Sequence, residues 1–138
     1  MHSDKRKVAK VLNALGGDEA KKVLNNIAAT DAKLAQQIKD LIFVYEDIFE
    51  LPQKDLQLLL QKVDGDDLAL ALKATGAALG AYMISGLSDR RKKIVLEQMK
   101  LLGKIKRSDA QAAKMRIADM ARQMVDRGEI SIADEWVE

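Results

Sequence analysis

Charged side chains at helical spacing are the residues of this sequence with the clearest chemistry. Arg90, Lys93, Glu97 and Lys100 recur at intervals of three and four residues, so on an α-helix they share one face. One acid among three bases can meet complementary charges on a partner protein. The alternative is a solvated face whose Lys93–Glu97 pair contributes only about 0.3–0.5 kcal/mol. The spacing alone favours the alternative, because most charged helix faces are merely solvated.

Catalytic chemistry has little support in this sequence. The chain has no cysteine, and its one histidine is His2, so neither a thiol nucleophile nor a histidine-based triad can be assembled. The segment 64–67, Asp-Gly-Asp-Asp, begins like a calcium loop, but its twelfth position is Thr75 instead of glutamate. We therefore expect no catalytic residue, no metal ligand and no cofactor.

The net charge is small but unevenly distributed. The 138 residues carry a net charge of +2, whereas residues 88–107 alone hold eight bases and two acids, a net charge of +6. An acidic protein surface, a nucleic acid or an anionic lipid headgroup would each complement that segment. No aromatic residue lies within it, and stacking aromatics are typical of proteins that bind single-stranded nucleic acids. An acidic protein is therefore the favoured partner, and nucleic acid is the less favoured one.

The charged face needs a helix to position it. Ser88 is a suitable N-cap and Gly103 a suitable C-terminal stop. Between them, an apolar arc is predicted to face the core. This arc contains Ile94, Val95, Met99, Leu101 and Leu102.

The rest of the chain also has the pattern of a helical protein. Ala, Leu, Lys, Asp and Gln dominate, aromatic residues make up 4%, and no alternating stretch is long enough for a sheet. We predict an all-α fold with Thr30, Asp66 and Ser108 as helix caps and Gly128 as a helix end. The helices besides the charged one are predicted near residues 5–15, 18–27, 31–42, 52–63, 68–74, 76–87 and 109–127.

Several stretches, in order, resemble the C-terminal part of the flagellar motor switch protein family FliG. Residues 42–47, Ile-Phe-Val-Tyr-Glu-Asp, are similar to the family's Met-Phe-x-Phe hinge, with Ile for Met and Tyr for the second Phe. The segment 63–73 is close to the family pattern and is the most specific part of the match. Leu87-Ser88-x-Arg90, Gly103 and Gly128-Glu129-Ile130 fall at the expected spacings.

The resemblance implies three parts. They are an armadillo-like helical repeat at residues 1–41, a hinge at 42–51 that contains Ile42, Phe43, Val44 and Tyr45, and a six-helix C-terminal domain at 52–138. A right-handed superhelical arrangement is expected. This would be roughly the last two-fifths of a typical family member.

The resemblance also implies a function in motility and chemotaxis through rotor torque and switching. The C-terminal domain of the family meets the cytoplasmic loop of the stator protein MotA through charged residues, and its repeat contacts the switch protein FliM. Neighbouring copies form a ring on the cytoplasmic face of the inner membrane, so membrane association is expected only through partners. Position by position, the stator-binding set becomes Lys73, Arg90, Glu97, Gln98 and Lys106.

This sequence departs from the family at some of these positions. Gln98 replaces a usual acid, Lys106 replaces a usual arginine, and Arg91, Lys92 and Lys93 are extra bases. Lys93 and Lys100 extend the charged stripe. A divergent adaptor that binds another acidic protein is the alternative function.

Overall fold

The computed structural model describes residues 7–9, 11–12 and 17–131. Residues 7–9 and 11–12 are helical, so the predicted first helix is described only in part. The helices that follow are α1 (Gly17–Thr30), α2 (Ala32–Ile42), the 3₁₀ helix η1 (Tyr45–Glu50), α3 (Gln53–Lys62), α4 (Gly65–Lys73), α5 (Ala77–Ser85), α6 (Asp89–Leu102) and α7 (Arg107–Asp126). The described residues contain no strand, which confirms the all-α prediction; the superhelical arrangement stays a prediction.

The buried apolar residues form two clusters. A small one joins Ala9, Leu12 and Ile38 to partly buried residues of α1 and α2. A larger one begins at Phe43 and runs through the later helices to Ile130. Each cluster removes apolar side chains from water, which is the main stabilising contribution to a helical fold.

Helix α4 forms the centre of the larger cluster. It packs against both α6 and α7, and its residues Leu68, Ala69, Ala71 and Leu72 are buried. The buried face of α7 is rich in alanine, at positions 110, 113, 118 and 121. Small side chains let α7 approach α4 closely, while α6 packs on α4 mainly through Val95.

Local capping chemistry is partly as predicted. The Ser88 side chain accepts a hydrogen bond from the Arg91 amide at 3.2 Å, and Gly103 and Gly128 have φ of 58° and 73°, values that favour glycine. Three predicted caps are wrong. Asp31 replaces Thr30 and Asp64 replaces Asp66 as the capping side chain, and the longest helix begins at Arg107, before Ser108.

Candidate partner-binding surface

The outer face of α6 carries the charged stripe. Arg90, Lys93, Glu97 and Lys100 are all exposed. No ion pair joins Lys93 to Glu97, and the ion pairs found among the described residues lie elsewhere, at Arg116–Asp67, Arg122–Asp119 and Arg127–Glu129. The Lys93–Glu97 pair of the solvated-face alternative is therefore not formed, and the charges of this face are turned to solvent.

The predicted apolar arc of α6 is only partly buried. Val95 is 1% exposed, but Ile94 is 48%, Leu101 81% and Leu102 40% exposed. At 100° per residue, Ile94 and Leu101 fall within about 60° of Arg90 and Glu97. These two apolar side chains therefore belong to the charged face. Leu102 is the last residue of α6 and faces Ala69 and Leu70 of α4 across a groove.

Lys73 lies away from the exposed stripe. Its Nζ donates a hydrogen bond to the carbonyl oxygen of Met99 at 3.2 Å and another to that of Gly103. These carbonyls are at the C-terminus of α6, where helix carbonyls lack intrahelical partners and carry partial negative charge. The Lys73 ammonium thus serves as a cap for α6 contributed by α4.

Gln98 and Lys106, the last two residues of the stator-binding set implied by the resemblance, are also separated from each other. Lys106 is exposed and directly precedes α7. The Gln98 side chain turns toward α4, and its Nε2 donates to Asp66 Oδ1 at 3.2 Å. Its Oε1 is buried without a hydrogen-bond partner. Of the five residues implied by the resemblance, α6 therefore presents Arg90 and Glu97 together, with Lys106 beyond its C-terminal end.

Sequence reasoning missed three bases with structural contacts. Arg91 donates to the carbonyls of Leu60 and, at 2.6 Å, Val63. Lys114 donates to the Ala74 carbonyl at 2.7 Å. Each pair of partners is separated by at least 28 residues, so no spacing rule within one helix could have found it.

The third base, Arg122 of α7, binds the segment where α2 ends. Its Nη1 donates to the carbonyls of Phe43 at 2.5 Å and Asp40 at 3.3 Å, and its Nη2 pairs with Asp119. Phe43 is fully buried, and Val44 is partly exposed. The side chain of Ile42 lies outside the described part of the structure.

Tyr45 holds the other end of the segment Ile42–Tyr45. Its hydroxyl lies 2.9 Å from the Thr75 hydroxyl and donates to the Met83 sulfur at 3.2 Å. Burial raises the pKa of Tyr45 to about 12, although the hydrogen bond with Thr75 acts in the opposite direction. The phenol is therefore neutral throughout the physiological pH range.

Among residues 7–9, 11–12 and 17–131, no group of three or more His, Cys, Asp or Glu side chains is arranged to hold a metal ion. Within the same residues, no helix combines the length and hydropathy needed to cross a bilayer.

A helical domain with an exposed face of charged and apolar residues is typical of a protein-binding module. Residues 25–132 match the family model described as the FliG C-terminal domain. The chain therefore belongs to the FliG C-terminal domain family, as its resemblance implied.

Relatives and solved structures agree with this assignment. The flagellar motor switch proteins FliG of Thermotoga maritima and Helicobacter pylori are 31% and 33% identical to the chain over 91% and 94% of its length. The structure of full-length FliG from Aquifex aeolicus superposes with a TM-score of 0.79 at 30% identity, covering 91% of this chain and 39% of that one. The chain spans 37% of the length of the Thermotoga maritima protein and 38% of the length of the Helicobacter pylori protein.

Proposed function

We propose that this chain is a rotor and switch component of the bacterial flagellar motor, and that it receives torque through the outer face of α6. The observation that carries this proposal is the exposure of Arg90 and Glu97 on one helix face, in a chain whose relatives are flagellar motor switch proteins. Two opposite charges separated by two helical turns can engage two complementary charges on a partner helix.

The proposed partner of this face is the cytoplasmic loop of the stator protein MotA. FliM and neighbouring copies of the chain are the other proposed partners, which would hold it in a ring at the cytoplasmic face of the inner membrane. Lys106 and the exposed stripe residues Lys93 and Lys100 supply a positive field that steers the encounter. Lys73 is proposed to act indirectly, by capping the C-terminus of the helix that carries the face.

A hinge at residues 42–51 is the proposed route by which torque and switching signals pass between the repeat (1–41) and the C-terminal domain (52–138). Its support is the position of this segment, between the small apolar cluster and the larger one that begins at Phe43, with a polar contact near each end of residues 42–45. Arg122 binds the carbonyl of Phe43, and Tyr45 meets Thr75. Because Phe43, Ile48 and Leu51 are buried, a second arrangement of the segment requires these side chains to repack while the polar contacts are exchanged.

The proposal is tested by charge reversal in a host that carries this protein in its motor. The double variant Arg90→Glu/Glu97→Arg should stop or strongly reduce swimming, because both contacts become repulsive. Reversal of the matching stator charges should partly restore it. The matched control is Arg127→Glu/Glu129→Arg, which reverses an exposed base and acid already paired with each other and should swim normally. Normal swimming by the first double variant would reject the proposal.

A further inference from the structure

Helix α6 carries four exposed large apolar side chains, more than any other helix among the described residues. Leu101 is the most exposed large apolar side chain found among the described residues, and Ile94, Leu96 and Leu102 of the same helix are also exposed. A scattered exposed leucine is ordinary, but a contiguous apolar patch on a soluble protein is typical of a binding surface.

Leu101 and Leu102 border a groove of about 210 Å³ between α6 and α4. Ala69 and Leu70 form its other side, and Asp66 and Gln98 close one end. The groove therefore has apolar walls and a polar end, an arrangement that binds an apolar side chain and orients it with a few polar groups.

The polar end contains an unsatisfied acceptor. Gln98 Oε1 is buried and has no hydrogen-bond partner, and a buried acceptor without a donor is costly. Because Gln98 Nε2 is already bonded to Asp66, the amide is held in place at this end of the groove.

Bases on α6 and just beyond it outnumber the single carboxylate of Asp66 in the groove lining and favour an acidic partner. Arg90, Lys100, Lys104 and Lys106 are exposed along α6 and just beyond it, in the segment of residues 88–107 with a net charge of +6. Ile94 and Leu101 are seven residues apart, or two helical turns, which matches the repeat of an apolar stripe on a partner helix. An acidic amphipathic helix complements both features.

We propose that the groove between α4 and α6 binds an acidic amphipathic helix of a partner protein, with an apolar side chain of that helix inserted between Leu70, Leu101 and Leu102. This inference deepens the proposed function, because it adds apolar contacts to the face assigned to torque. Charge then steers the encounter, and burial of the leucines lengthens the residence time of the complex.

The test uses the whole chain and a synthetic helical peptide with a leucine stripe flanked by glutamates, labelled for fluorescence anisotropy. A peptide of equal charge with serine in place of leucine is the reference. The leucine peptide should bind more tightly than the serine peptide. The variant Leu101→Gln should weaken binding of the leucine peptide about tenfold, since it removes the burial of one leucine. The control Met115→Gln, an exposed apolar residue of α7, should bind like the unchanged protein.

Three results would overturn the inference. Two of them are equal binding of both peptides, and equal binding by Leu101→Gln and the unchanged chain. The other is self-association in sedimentation that Leu101→Gln abolishes, which would assign the groove to a second copy of the chain. None of these results depends on swimming, so failure of this inference is distinguishable from failure of the Arg90 and Glu97 charge reversal.

Discussion

Lys73 and Lys100 carry the same ammonium group on two helices that pack together, yet their environments differ. Lys73 of α4 bonds to the carbonyls of Met99 and Gly103 at the end of α6, whereas Lys100 of α6 is exposed on the outer face. The same contrast divides the bases of the C-terminal region into inward-turned and outward-turned sets. The inward-turned set is Lys73, Arg91, Lys114 and Arg122, and the outward-turned set is Arg90, Lys93, Lys100 and Lys106.

Each inward-turned base donates to carbonyl oxygens at or just beyond the C-terminus of a helix. The recipients are α6 for Lys73, α3 for Arg91, α4 for Lys114 and α2 for Arg122. Those carbonyls lack intrahelical donors and carry the negative end of the helix dipole. The comparison therefore separates positive charge that holds the fold together from positive charge that remains available to a partner.

The strongest test of the comparison is Arg122→Met, which removes the α7 base that binds the segment following α2. We expect a loss of about 2–3 kcal/mol in the free energy of unfolding, because two carbonyls and Asp119 lose a charged donor. Urea unfolding measures it. The control is Arg116→Met on the same helix, where Arg116 pairs with Asp67 at the surface and should cost clearly less. Equal losses for the two variants would contradict the structural role of Arg122.

A second prediction compares Lys73→Met with Lys100→Met directly. Loss of Lys73 should lower the free energy of unfolding by about 1–2 kcal/mol, because the C-terminal carbonyls of α6 lose their donor. Lys100→Met should leave it nearly unchanged, since its side chain has no partner among the described residues. The measurement is thermal unfolding of both variants at matched salt concentration. An unchanged melting temperature for Lys73→Met would contradict the role of Lys73 as a cap of α6.

The sequence predicts features that depend on neighbouring residues. Ser88 caps α6, and Gly103 and Gly128 end helices, because each acts on the backbone within a few residues of itself. Where two suitable caps are adjacent or nearly so, the sequence does not choose between them. Asp64 caps α4 in place of Asp66; the two carboxylates have the same chemistry, but α4 begins at Gly65, so Asp66 already lies in its first turn.

The candidate site was less predictable because it depends on contacts between distant segments. Its residue type assigns Leu101 to the apolar arc, but its helical angle places it beside Arg90, and its side chain is 81% exposed. The target of Lys73 is a backbone carbonyl 30 residues away. A carbonyl is present at every position, so no residue type indicates this contact in the sequence.

The smallest predicted effect concerns Tyr45, whose ring lies 5.2 Å below the ammonium of the inward-turned Lys114. At neutral pH, Tyr45→Phe should lower the free energy of unfolding by about 0.5–1.5 kcal/mol, because the contacts with Thr75 and Met83 are lost.

This stability difference should depend on pH. The folded pKa of Tyr45 is about 12, against 10.0 for an unperturbed tyrosine. As pH rises from 10 to 12, the unfolded phenol therefore ionises first and the folded state loses stability. The phenylalanine variant lacks that loss, so the advantage of the unchanged protein should shrink over this range. Urea unfolding at pH 8 and pH 11 measures the change. A stability difference that stays constant with pH would show that Tyr45 is not held neutral by burial.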